Sequence, residues 1–302
     1  MSANHKRLLL QAAIPLLLTA GTTVQAQQQR TGWATVVDGL ALYQLDADLS
    51  GGGEFSVNRS FLRAGKLYRS EDGVSYGLFL SYGELSYDFD TSTAAPWGDI
   101  RDVRISVPIR FPVSDTATVF LSPQVRWDYE KGVSASDGRT YGVFAGVTWQ
   151  LGNDLQIGPA FGAFTELGSD DIELFPALLV NWEISEKWSL STGGGLGASQ
   201  GPGVSLTYDH SRATSFSLST RAEKTRFRLD NSGLAPGGIG EDTSLPVVFS
   251  FNYHPNPRMS FGAYIGAEFD GELTLEDTSG ATVSTQSYGT APIAGLIFRV
   301  RF

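Results

Sequence analysis

The sequence predicts an all-β protein, a transmembrane antiparallel up-and-down β-barrel of about fourteen strands, or twelve if the first hairpin is short. Three observations predict it. Apolar and polar residues alternate with a period of two over most of the chain, the pattern of strands with one greasy face. The connections between these strands are short and long by turns. The last strand, from Ala291 to Phe302, sets Phe302, Val300, Phe298, Leu296 and Ala294 on one row and Arg301, Arg299, Ile297 and Gly295 on the other.

Composition agrees. The 302 residues include 35 glycines, 12% aromatic and 41% hydrophobic residues, and carry a formal charge of -10. There is no cysteine, hence no disulfide framework, thiolate metal site or lipidation cysteine. The acidic balance argues against nucleic acid as a partner. At the N-terminus, His5, Lys6 and Arg7 precede the apolar run Leu8 to Leu18, and Val24-Gln25-Ala26 offers a small-residue cleavage site, so residues 1 to 26 read as a secretory signal peptide. Residues 27 to 39 lack clear periodicity and read as a periplasmic lead-in. Residues 40 to 302 are then the barrel.

In order, Tyr43, Leu45, Ala47 and Leu49 alternate with Gln44, Asp46 and Asp48. After Gly51 to Gly53, the stretch from Glu54 to Tyr68 has Arg59, Arg63 and Lys66 on both registers, which a bulge would resolve. Val74 to Tyr82 gives an apolar row before a polar loop with Pro96 and Trp97. Val103, Ile105, Val107, Ile109 and Phe111 oppose Arg104, Ser106, Pro108 and Arg110. An arginine pointed at lipid at mid-membrane costs roughly 2 to 4 kcal/mol, so these arginines face the lumen. Val119 to Tyr129 opposes Phe120, Ser122, Gln124, Arg126 and Asp128, and Tyr141 to Leu151 opposes Gly142, Phe144, Gly146, Thr148 and Gln150. Two more strands follow, with Phe164 and Glu166 and then Glu173 and Phe175 on the inward rows. Weaker rows run from Trp188, from Val204 and from Phe216, the last with Arg221 inward. Leu245 to Tyr253 and Met259 to Phe269 complete the set before the closing strand, with Glu268 and Asp270 inward on the latter.

If the closing strand ends in the periplasm, the turns at 69–73, 112–116, 152–154, 185–187, 210–214 and 254–258 are all periplasmic and short. The longer loops at 89–99, 131–138, 230–242 and 276–287 are all extracellular, as barrel architecture requires. Trp149, Trp182, Trp188, Tyr208, Tyr253 and Phe302 mark one interface, and Trp127, Tyr129 and Tyr141 the other, as two aromatic girdles.

The signal peptide, this pattern and the terminal FRVRF resemble Gram-negative porin-like outer-membrane proteins over the whole mature chain. The stretches GGGEFSVNRSFLRAGKLYR, SYGLFLSYGELSYDFD and PWGDIRDVRISVPIRF are similar to a family of bacterial outer-membrane barrels of unknown function. The resemblance implies a place in the Gram-negative outer membrane among its lipids. It also implies recognition of the strand ending at Phe302 by the barrel-assembly machinery. It implies no chemistry for any residue.

Function is read from the rows. Of three histidines, His5 lies in the signal peptide and His210 and His254 fall in periplasmic turns without a patterned partner, so no catalytic, metal or cofactor residue is assigned. Arg104, Arg110, Arg126, Asp128, Glu166, Glu173, Arg221, Glu268, Asp270, Arg299 and Arg301 are expected to line the lumen, and Gly142, Gly146, Gly158, Gly162, Gly193, Gly195, Gly262 and Gly266 on the inward rows, adding little bulk, to leave it width. The basic and acidic walls of the charged residues would orient small polar solutes or ions passing by diffusion; paired across the lumen, the same groups would plug it. Lys224, Arg226 and Arg228 continue an outward row beyond the membrane, where they meet lipopolysaccharide phosphates or form a solvated hairpin edge. The alternatives to a channel are a non-conducting barrel with a structural or binding role and a lipid-modifying enzyme.

Overall fold

The computed structural model describes residues 31–92, 94–169, 171–193 and 203–302, and the proposed signal peptide lies outside them. Among the described residues, seventeen strands form one sheet. They are β1 (Gly32–Asp48), β2 (Glu54–Arg69), β3 (Ser75–Asp90), β4 (Ile100–Ser106), β5 (Ile109–Pro112), β6 (Ala117–Glu130), β7 (Arg139–Leu151), β8 (Leu155–Thr165), β9 (Ile172–Glu183), β10 (Trp188–Thr192), β11 (Gly203–Asp209), β12 (Thr214–Arg221), β13 (Glu223–Arg228), β14 (Ile239–Asn256), β15 (Met259–Glu276), β16 (Thr282–Tyr288) and β17 (Ala291–Arg301). Three pairs, β4 with β5, β12 with β13 and β16 with β17, are single staves broken in two, so the sheet is a closed antiparallel barrel of 14 staves. β1 closes it against β17, from Val36↔Arg301 to Gln44↔Ile293. The break between β4 and β5 falls at Pro108, which has no N–H to give the ladder.

β1 begins at Gly32, so residues 32 to 39 of the expected lead-in are strand, paired to β2 from Gly32↔Arg69 onward. Two long loops are also shorter than the sequence implies. β14 starts at Ile239 and β16 at Thr282, because polar residues alternate there on strands that extend past the membrane.

The barrel is apolar outside and carries its buried charged side chains inside. Leu174 is 71% exposed and Ile265 and Leu296 64%, whereas Glu268 and Asp102 are 1% exposed and Gln44 0%. A contiguous exposed apolar surface of this kind requires lipid.

Two bulges reset the faces. The bulge expected in β2 is absent: β2 pairs with β3 in one register throughout, with Arg59 and Arg63 inward and Lys66 exposed on the other face. The irregularity sits in β1 between Gln44 and Ala47, so Gln44 and then Ala47 and Leu49 are buried, and Asp46 and Asp48 are exposed. A slip of one residue exchanges the two faces. The second bulge falls in β15 opposite the Thr243/Leu245 shift of β14, where Asp270 has φ 50. Asp270, expected to line the lumen with Glu268, is therefore exposed at the bulge while Glu268 is buried.

Above the membrane the tall staves close into a narrower ring. β13 leans over the opening and meets β6 in a single parallel bridge, Arg228↔Tyr129. The space inside β1–β4 and β13–β17 is filled by an apolar cap that includes Phe55, Val57, Tyr87, Trp97, Ile100 and Phe227. Trp97, in a loop expected to be polar, is 4% exposed, with its ring 5.0 Å from Phe227 and 5.5 Å from Tyr87.

Candidate functional site: the lumen and its two mouths

Directly below the cap, β2, β1, β14 and β15 bring Arg59, Gln44, Asp242 and Glu268 together. Arg59 donates to both carboxylate oxygens of Glu268 and, at 2.9 Å, to the Gln44 side-chain oxygen. The Tyr87 and Tyr288 hydroxyls donate to Asp242 at 2.8 and 3.1 Å, and Arg59 lies 3.6 Å from the same carboxylate. These charges leave water only because each finds a partner. One step toward the periplasm, Asp38 accepts from Arg63 at 2.7 Å and from Arg299.

On the next wall, Arg126 donates to Asp102 at 2.6 Å and to Asp128 at 2.9 Å, and Arg104 lies 3.7 Å from Asp102. Arg104 and Arg126 are therefore interleaved with carboxylates rather than standing with Arg110 as one basic wall. Arg221 pairs with Glu223 at 2.7 Å. Asp38, Arg59, Asp102 and Asp242 belong to this site although sequence reading did not select them. Asp102 shares the inward row of Arg104, which was the available signal.

Farther round, the inward face of β6–β9 is aromatic. Phe120, Phe144, Phe164 and Phe175 pack with Ala160 into a buried stripe, with neighbouring rings 5.4 to 6.3 Å apart. Each faces a small residue across the ladder, as in Phe164↔Gly142 and Phe175↔Gly162. Gly142, Gly146 and Gly162 are seats for rings rather than spare width, while Gly158 and Gly266 lie against neighbouring backbone. Gly195, counted among the inward glycines, lies outside the described residues.

At the extracellular mouth, β13 carries Lys224 and Arg226 on its outer face, toward the end of β8. Lys224 donates to Glu166 at 2.7 Å and lies 3.4 Å from Glu241. Arg226 donates to Glu276 at 2.6 and 2.9 Å, to Glu241 at 3.0 Å and to the Leu167 carbonyl at 3.1 Å. Glu173 lies within charge-interaction range of Lys224. Arg228 donates to the carbonyls of Asp137 and Gly237 at 3.1 and 3.0 Å. The three cations proposed for lipopolysaccharide are thus engaged within the chain. They tie β13 to the β8–β9 connection and to neighbouring loops. In the adjoining loop, hydrogen bonds to Asp99 and then Glu84 raise the Lys131 ammonium above its ordinary value.

At the periplasmic end, His210 lies between the rings of Tyr208 and Phe216, each 6.4 Å away. His254 has a charged neighbour that the sequence did not reveal, Asp209.

Comparison with known proteins adds fold-level likeness. No protein-family model matches the chain, and no curated protein matches it. Among solved structures, the COG4313 outer membrane channel from Pseudomonas putida F1 aligns over 95% of this chain and 100% of its own, with TM-score 0.51 and 11% identity. A Pseudomonas aeruginosa FadL homologue aligns over 90% of each chain with TM-score 0.46 and 12% identity. The P. putida toluene transporter TodX aligns over 93% of each with TM-score 0.45 and 8% identity. At such identities the likeness is one of fold, that of outer-membrane barrels.

Proposed function

We propose that the chain is a passive channel of the bacterial outer membrane for small polar solutes or ions, without enzymatic activity. The observation that carries the reading is that the cap fills only the side of the barrel bounded by β1–β4 and β13–β17. The cap draws no described residue from β7–β11, and on that side Lys224 of β13 bridges to Glu166 at the extracellular mouth. A ring of 14 staves also exceeds the roughly eight whose interior side chains fill. The barrel it resembles is itself described as an outer membrane channel.

The test is to refold residues 27 to 302 in detergent, insert the protein into a planar bilayer and record conductance. Stepwise openings are expected, and Lys224→Met should enlarge them by removing the bridge. Silence from protein shown by heat-modifiable gel mobility to be folded would reject the channel. The lipopolysaccharide reading has less support, because Lys224, Arg226 and Arg228 already spend their donors on this chain.

A further inference from the structure

Inward arginines of the barrel are paired wherever the wall is tall. Arg59, Arg63, Arg104, Arg126, Arg221 and Arg299 each lie within 4.0 Å of a carboxylate. At the periplasmic mouth the pattern stops. Arg69 faces Ser75 across the β2–β3 ladder, and Ser75 faces Arg110 across the β3–β5 ladder. The three side chains therefore stand in one inward row, about 5 Å from strand to strand. The row is fixed by the tight turn that follows Arg69, in which the Ser70 N–H donates to the Val74 carbonyl at 2.8 Å and Gly73 takes φ 81. Arg301, two residues beyond Arg299 on the inward row of β17, is within charge-interaction range of Arg69, as Arg69 is of Arg110. Among the described residues no carboxylate lies within ion-pair distance of these three arginines. The guanidiniums repel one another at the periplasmic rim.

We propose that Arg69, Ser75 and Arg110, with Arg301 beside them, form a binding site for small oxyanions, carboxylate or phosphate, at the periplasmic mouth. Two guanidinium forks flanking a hydroxyl match the oxygens of such an anion, and bound charge relieves the repulsion. The site rests on the channel reading for its use as a selectivity filter, though not for binding itself.

The experiment uses the folded barrel with Arg69→Gln and Arg110→Gln combined, and Arg212→Gln, in the exposed periplasmic turn between β11 and β12, as control. Binding of inorganic phosphate and of acetate is measured by titration calorimetry in detergent, and anion preference by reversal potential in a salt gradient. Wild type and the Arg212 variant should bind both anions, and the double variant should bind about tenfold more weakly and lose anion preference. Phosphate without acetate binding would narrow the site to phosphates. Undiminished binding in the double variant, or an equal loss in the Arg212 variant, would overturn the proposal. If the barrel is silent, calorimetry alone decides the site, and the channel reading fails separately. Should the glutamine pair not fold, the Lys/Lys pair keeps the charge but removes the fork, and wild-type affinity there would equally count against the site.

Discussion

At the scale of the residue, the pairing of glycine with aromatic ring governs the wall. A Cβ on Gly162 would lie 1.7 Å from the Phe175 ring, and one on Gly142 1.8 Å from the Phe164 ring. Each ring lies flat across the neighbouring strand and covers backbone that a side chain would otherwise cover. Gly162→Val is expected to displace Phe175 and cost about 1–3 kcal/mol, read as a lower midpoint of the heat-induced gel shift. Adding Phe175→Ala should recover part of that loss, and an unchanged midpoint in the single variant would show that the seat is not needed. Both partners were visible in the sequence as inward residues, Gly142 and Gly162 as small ones and Phe164 and Phe175 on the same rows. What the sequence did not contain was the register that sets them opposite each other, so the glycines read as width. The same holds for charges. Arg126 and Asp128 sit two apart and were legible as lumen residues, but Asp38 lay in a stretch read as lead-in.

At the scale of the element, alternation decided most strands and bulges decided the errors. β6–β9 follow the expected rows because no residue is inserted in them, and their outward residues are the exposed ones, such as Phe161 and Leu178. In β1 and β15 one extra residue exchanges the faces, and nothing in the local chemistry of Leu45-Asp46 or Asp270-Gly271 announces it. β13 illustrates a third limit. Its outward row of Lys224, Arg226 and Arg228 was read correctly as a row, but whether it meets solvent depends on where the strand leans. Arg226 is the pin that holds it to Glu241, Glu276 and the Leu167 carbonyl. Arg226→Ala should free the β8–β9 connection, seen as faster protease cleavage between residues 166 and 171 of the folded barrel. Cleavage at the wild-type rate would mean that the pin is dispensable.

At the scale of the whole molecule, the barrel class, its closure and its inside-out burial followed from period-two alternation and from the alternation of short and long connections. The cap did not. Its residues come from β1, β2, β3, β4, β13, β15, β16 and β17 and from three connections, and no local pattern unites them. Its floor, the Arg59–Glu268 pair, is buried enough that removing one partner leaves an uncompensated charge. Glu268→Leu alone should therefore cost about 3–5 kcal/mol in a denaturant titration of the refolded barrel, and Glu268→Leu with Arg59→Leu much less. Equal losses in the two would show that the charges are not coupled.

The composition of that cap also orders the birth of the protein. Phe55 packs against Tyr288, its ring 4.9 Å away although the two are separated by almost the whole chain. The cap cannot form while the nascent sheet is still open, since it needs β1 and the β16–β17 stave side by side. Closure of the sheet and burial of the cap's aromatic residues therefore coincide, so an unclosed barrel leaves them in water.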